Sequence, residues 1–171
     1  TGGEPLVRAD LEEIASACKP EMATVLFTTG AGLDARRARG LREAGVDCVT
    51  VGVESSEATE HDRVRGAAGS WETARAAVAA CREAGVYAAI STVGFREKMD
   101  SGELERMWKL GRQWGAGEFR VLAPVATGGL AGCGAAMLGP EALRSLSEFH
   151  VRMNRCREDG PAVANFAYLE S

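Results

Sequence analysis

Two glycines and a carboxylate, Gly2-Gly3-Glu4, stand just before Pro5 and an amphipathic stretch, and these residue types suit recognition of an ammonium group. Paired glycines let backbone approach a ligand with no Cβ in the way, and an acid at a strand end offers a cation a charged acceptor. Pro5 stiffens the turn that aims Glu4. Further along, Thr28-Thr29-Gly30, Glu54-Ser55, Thr92-Val93-Gly94 and Pro124-Val125-Ala126-Thr127-Gly128-Gly129 each follow an apolar run. If those runs are parallel strands, hydroxyls, glycines and two acids converge on one rim, where α/β folds bind ligands.

A repeat sets out the elements that must position them. Arg42-Glu43-Ala44-Gly45-Val46 recurs forty residues later as Arg82-Glu83-Ala84-Gly85-Val86, and Trp114-Gly115-Ala116-Gly117 is a looser third copy. Each copy ends a helix and begins a strand, with Gly45 and Gly85 suited to the left-handed position past a helix C-terminus. The spacing predicts helices at 10–19, 34–44, 70–84, 102–114 and 140–158, and strands at 23–28, 47–53, 86–93 and 118–123. Asp10 with Glu13 reads as a capping box, Asp34 and Ser70 as N-caps, and Pro140 as a first-turn proline. Strict strand-helix alternation implies a parallel sheet, either open and doubly wound or part of a barrel. A full eight-unit barrel takes about 250 residues, more than the 171 present.

Composition narrows the function classes. An apolar content of 46% with 26% charged residues is that of a globular domain. The net charge of −4, with no Lys/Arg stripe, argues against a nucleic-acid partner. No stretch approaches a membrane span or a secretory leader, so the expected setting is cytoplasmic, with no membrane partner. The five cysteines (Cys18, Cys48, Cys81, Cys133, Cys156) form no C-x-x-C pair and read mostly as small core residues. His150 lies on the apolar stripe of its helix with Leu146 and Met153. His61 sits in a polar connector and reads as solvated, while Trp108 and Trp114 read as core.

The order of motifs resembles the radical S-adenosylmethionine (radical SAM) enzymes from Thr1 to about Gly129. The series is Gly-Gly-Glu-Pro, Thr-Thr-Gly, a strand ending in Glu-Ser, His61-Asp62-Arg63-Val64-Arg65-Gly66, and a strand leading to Pro-x-x-x-Gly. The resemblance implies an α/β fold, a partial (β/α)6 barrel entered at the end of its second strand. The barrel would span 1–160, with 161–171 starting a further strand or C-terminal segment. Some relatives carry an auxiliary-cluster (SPASM-like) domain beyond that point.

The resemblance also implies a site. Gly2, Gly3 and Glu4 would take the methionine amino group of S-adenosylmethionine, and Thr28, Thr29 and Gly30 would lie near the sulfonium and the cluster. Glu54 and Ser55 would bind the ribose hydroxyls, and Arg65 the methionine carboxylate. Backbone at Leu122, Ala123 and Pro124 would flank the adenine. The implied activity is reductive cleavage of S-adenosylmethionine at a 4Fe-4S cluster to a 5′-deoxyadenosyl radical, in peptide or cofactor maturation.

One departure stands against these matches. The family's C-x-x-x-C-x-x-C loop, whose thiolates bind the cluster, is absent from these residues. The metal ligands are therefore expected outside the chain, and no catalytic residue is assigned. A cluster-free α/β metabolite-binding or regulatory module is the alternative.

Overall fold

The computed structural model describes residues 3–18, 22–127, 131–134, 137–156, 158 and 160–164. Five strands, β1 (Thr24–Thr28), β2 (Val46–Gly52), β3 (Tyr87–Val93), β4 (Glu118–Leu122) and β5 (Ala162–Ala164), form one sheet in the order β1-β2-β3-β4-β5. Every neighbouring pair is parallel. Because the order never reverses, the sheet lacks the switch point of a doubly wound fold and is instead an arc of a barrel. β5 continues that arc, so the segment after 160 joins the same sheet. Residues 165–171 lie outside the described residues.

Helices cover the outer face: α1 (Leu11–Ala17), α2 (Ala35–Ala44), α3 (Ala58–Arg65), α4 (Ser70–Glu83), α5 (Arg96–Asp100), α6 (Glu103–Trp114) and α7 (Pro140–Arg155), preceded by a 3-10 turn at Pro5–Val7. The period-2 alternation of the strands divides two environments. Leu26, Val49, Val51, Ile90, Phe119 and Val121 are buried with the helices, and Phe119 meets Phe149 of α7 edge-to-face at 6.5 Å between centroids. Register places Phe27, Thr50 and Ala89 in one row on the inner face, and Gly52, Ser91 and Arg120 in another. Phe27 there is 44% exposed, whereas Arg120 is buried beside Glu118, 3.6 Å from Cys48 Sγ.

The predicted elements form with boundaries close to those read from spacing, and α3 and α5 are additional. Asp34 caps α2, accepting the Arg37 amide at 2.7 Å, and Gly45 takes φ +97° at the C-cap. Two expected caps differ. Asp10 makes no cap bond because its carboxylate is held by Arg8 at 2.7 and 2.9 Å. Ser70 is the first residue of α4, and Asp62 closes that helix end from α3, accepting Gly69 N, Ser70 Oγ and Trp71 N at 2.6–2.9 Å.

Trp108 and Trp114 are core residues, Trp108 donating to the Pro161 carbonyl at 2.9 Å. His150 is half-buried on α7, its Nδ1 2.7 Å from the Leu146 carbonyl. Of the cysteines, only Cys48 and Cys81 are buried; Cys133 and Cys156 are exposed. No helix among the described residues is long and apolar enough to cross a membrane.

Phe119 is fully buried between sheet and helices, so Phe119→Ala removes its packing and leaves a cavity. The expected loss is about 3–5 kcal/mol, read as a lower denaturant midpoint at unchanged slope.

Candidate functional site at the strand exits

The carboxyl ends of β1, β2 and β3 open onto a cleft of about 230 Å³ lined by Gly3, Glu4, Phe27, Thr28, Thr29, Thr50, Gly52, Arg65 and Ser91. Glu4 reaches it from extended backbone just before the 3-10 turn. Its Oε1 accepts Thr28 Oγ1 at 2.5 Å and Leu6 N at 3.1 Å, and its Oε2 accepts Thr29 N at 2.7 Å and Thr29 Oγ1 at 2.6 Å. Burial works to raise the carboxyl's pKa, but the bonds from Thr28, Thr29 and Leu6 outweigh it and hold the group below its ordinary value. All four donors are neutral, so the full negative charge faces whatever enters.

Arg65 supplies the opposite charge on the same cleft. Its guanidinium pairs with Glu54 Oε1 at 3.0 Å and passes over Gly52, where an added Cβ would collide with it. Gly52 ends β2, and its bare Cα leaves room for the arginine to lie across the strand. Glu54 belongs to a second cavity, of about 420 Å³, together with Ser55, Val64, Phe95 and Lys98. The Glu54–Arg65 pair therefore stands between the two cavities. Lys98 sits 3.6 Å from Glu54 Oε2 and donates to Thr92 Oγ1 at 2.6 Å. Burial pushes the Lys98 ammonium below its ordinary pKa while Glu54 draws it up.

Several residues of the expected site do other work here. Ser55 is buried, and its hydroxyl donates to Glu103 Oε1 at 2.9 Å while accepting Glu57 N at 3.1 Å, so it shapes the loop after β2. Glu103 also accepts Ser56 N at 2.6 Å and Arg106 Nε at 2.8 Å. Burial acts to raise its pKa, but these bonds prevail and lower it. Gly30 (φ +87°) is a packing glycine, since a Cβ there would meet Ala77 Cβ at 2.8 Å. The Leu122 carbonyl accepts Gly94 N at 2.8 Å, and Leu122, Ala123 and Pro124 line neither cavity. Gly2 lies outside the described residues, as does Thr1.

Sequence reasoning missed His61, Lys98 and Glu103. His61 is 1% exposed, with Nδ1 accepting the Glu54 amide at 3.0 Å, the reverse of a solvated residue. Its spacing of four from Arg65 would have put both on one helical face had the helix at 58–65 been recognised.

The family model of the radical SAM superfamily matches residues 1–106. The chain belongs to the radical SAM superfamily. It is 31% identical over 142 residues to the AdoMet-dependent heme synthase of Oleidesulfovibrio alaskensis, covering 82% of this chain and 36% of that protein. It is 32% identical over 117 residues to the PqqA peptide cyclase of Granulibacter bethesdensis, covering 68% of this chain and 31% of that one. The chain thus spans about a third of the length of these relatives. The crystal structure of Streptococcus suis SuiB bound to precursor peptide SuiA has the same fold over 97% of this chain and 37% of that one, with a TM-score of 0.76 at 15% identity. SuiB bound to S-adenosylmethionine gives 0.73 at 15% identity, covering 97% of this chain and 38% of that one.

Radical SAM enzymes use S-adenosylmethionine and a 4Fe-4S cluster. The two groups fare differently on the residues present. Glu4 and Arg65 on one cleft suit the ammonium and carboxylate of the methionine portion. Among the described residues no three His, Cys, Asp or Glu side chains could hold a metal, and burial drives the Cys81 thiol up to about 12. The cluster does not fit these residues.

Two outcomes follow from the geometry. Glu4 is held below 4.5, so its stabilising bonds are complete above that value and fade as pH falls through the lower folded pKa. The stability gap between wild type and Glu4→Gln, measured by urea unfolding, should be full at neutral pH and shrink in acid; a gap constant with pH contradicts this. An added Cβ at Gly52 collides only with the far end of the Arg65 side chain, so in Gly52→Ala the melting temperature should stay within a few degrees while Arg65 leaves Glu54. A crystal structure of the variant with the pair intact would refute it.

Proposed function

We propose that this rim binds S-adenosylmethionine, with Glu4 taking the methionine ammonium and Arg65 its carboxylate. The observation that carries the reading is the pairing of these two opposite charges on one small cleft, the first kept ionised by four neutral donors and the second steered by Glu54. A zwitterionic amino-acid group is complementary to that arrangement. Glu54, beyond Arg65, is the proposed acceptor for ribose hydroxyls, while Thr28 and Thr29 orient Glu4. Backbone at Leu122 to Pro124 is proposed to flank the adenine.

When bound, S-adenosylmethionine would be held by Glu4 and Arg65 and would supply the radical chemistry of the whole protein. The ligands of the 4Fe-4S cluster would come from chain beyond these 171 residues. This chain's own contribution is to bind and orient the cofactor. The proposed work is peptide or cofactor maturation in the cytoplasm. Similarity to proteins named PqqA peptide cyclase and AdoMet-dependent heme synthase supports it.

Calorimetric titration of S-adenosylmethionine into the chain tests the binding step. Wild type should bind saturably at one site, and Glu4→Gln should bind about tenfold to a hundredfold more weakly, the value of one charge-assisted hydrogen bond. Absence of binding to wild type, or equal affinity for the variant, would overturn the assignment.

A further inference from the structure

His61 has no part in the S-adenosylmethionine contacts proposed above, yet it is among the most completely buried polar side chains. We propose that His61 is a positioning residue for S-adenosylmethionine, acting without touching it by fixing the backbone of Glu54 at the exit of β2. The proposal rests on the cofactor reading above.

The Glu54 amide donates to His61 Nδ1 at 3.0 Å, which requires that nitrogen to be unprotonated, so the ring is neutral with its hydrogen on Nε2. Burial, followed by the charge of Arg65, lowers the imidazole pKa and favours that form; Lys98 acts in the same direction, while Glu54 and Asp62 oppose. One helical turn later, Arg65 takes the side chain of the same glutamate at 3.0 Å. Residues four apart share a helix face, so α3 grips Glu54 at two points, amide and carboxylate. Lys98 approaches the other carboxylate oxygen from α5 at 3.6 Å.

The grip is useful only if α3 itself is fixed, and the residue between its two fingers fixes it. Asp62 bonds Gly69 N, Ser70 Oγ and Trp71 N, tying α3 to the start of α4. Trp71 in turn meets Trp114 of α6 edge-to-face at 5.0 Å. A misplacement of Glu54 also misplaces Arg65, and so both the carboxylate and ribose contacts together.

The test compares His61→Leu, which cannot accept the Glu54 amide, with His61→Asn, whose carbonyl oxygen can stand near the position of Nδ1. Titrated with S-adenosylmethionine, His61→Leu should bind about tenfold more weakly, the value of one lost hydrogen bond, and His61→Asn should recover most of that loss. Hydrogen exchange at the Glu54 amide, read by NMR without ligand, should quicken in His61→Leu and slow again in His61→Asn. Equal loss of affinity in both variants, tracking their melting temperatures, would reduce His61 to a packing residue and overturn the proposal. So would unchanged exchange at Glu54, or a wild-type spectrum with Nδ1 protonated. A wild-type chain that binds no S-adenosylmethionine overturns the cofactor reading, and the exchange arm still judges the grip on Glu54.

Discussion

The Glu4 carboxylate, tied by three neutral donors to the exit of β1 and by a fourth, the Leu6 amide, to its own turn, is the interaction on which the rim depends. It joins a segment that precedes the sheet to the first strand of the sheet. It also leaves a charge uncancelled, since hydrogen bonds from amides and hydroxyls stabilise a carboxylate without neutralising it. Across the cleft Arg65 is nearly the converse case, a cation steered by Glu54 and given room by Gly52. On the proposed reading, separated charges of both signs suit a zwitterion better than an anion or a cation alone.

The parallel sheet makes this geometry possible. Parallel strands in sequential order end on the same side, and each exit delivers one short loop to the rim. The loops are supported from behind by side chains that never reach the cleft. Glu103, at the start of α6, holds Ser55 and Ser56; His61 and Asp62 hold the Glu54 amide and the start of α4. These supports are charged or polar and buried or half-buried, and each is stable there because its partners satisfy it. Arg120 is likewise buried on the inner face, beside Glu118 and 3.6 Å from Cys48 Sγ.

Much of this was legible in the residues. The repeat at Gly45 and Gly85 located the helix ends because left-handed backbone favours glycine, and both glycines take positive φ. Glu4, Thr28 and Thr29 were found as a set because strand exits in α/β folds converge, whereas Arg65, at the end of α3, was pointed to only by the resemblance to the radical SAM enzymes. What escaped had physical reasons. The helix at 58–65 has few apolar residues, so periodicity passed over it and His61 looked solvated. Asp10 and Ser70 carried the right types for caps, but Arg8 claimed the first and Asp62 pre-empted the second. Ser55 looked free to meet a ligand until Glu103, 48 positions away in sequence, proved to hold its hydroxyl. Contacts over such separations have no local signature.

A crystal structure of the chain with S-adenosylmethionine bound tests the charge-paired rim most directly. The account predicts the methionine nitrogen within hydrogen-bond distance of Glu4 and the methionine carboxylate against Arg65, with the Glu54 backbone unmoved. The methionine portion seated elsewhere, for example in the 420 Å³ cavity beyond Glu54, would contradict it.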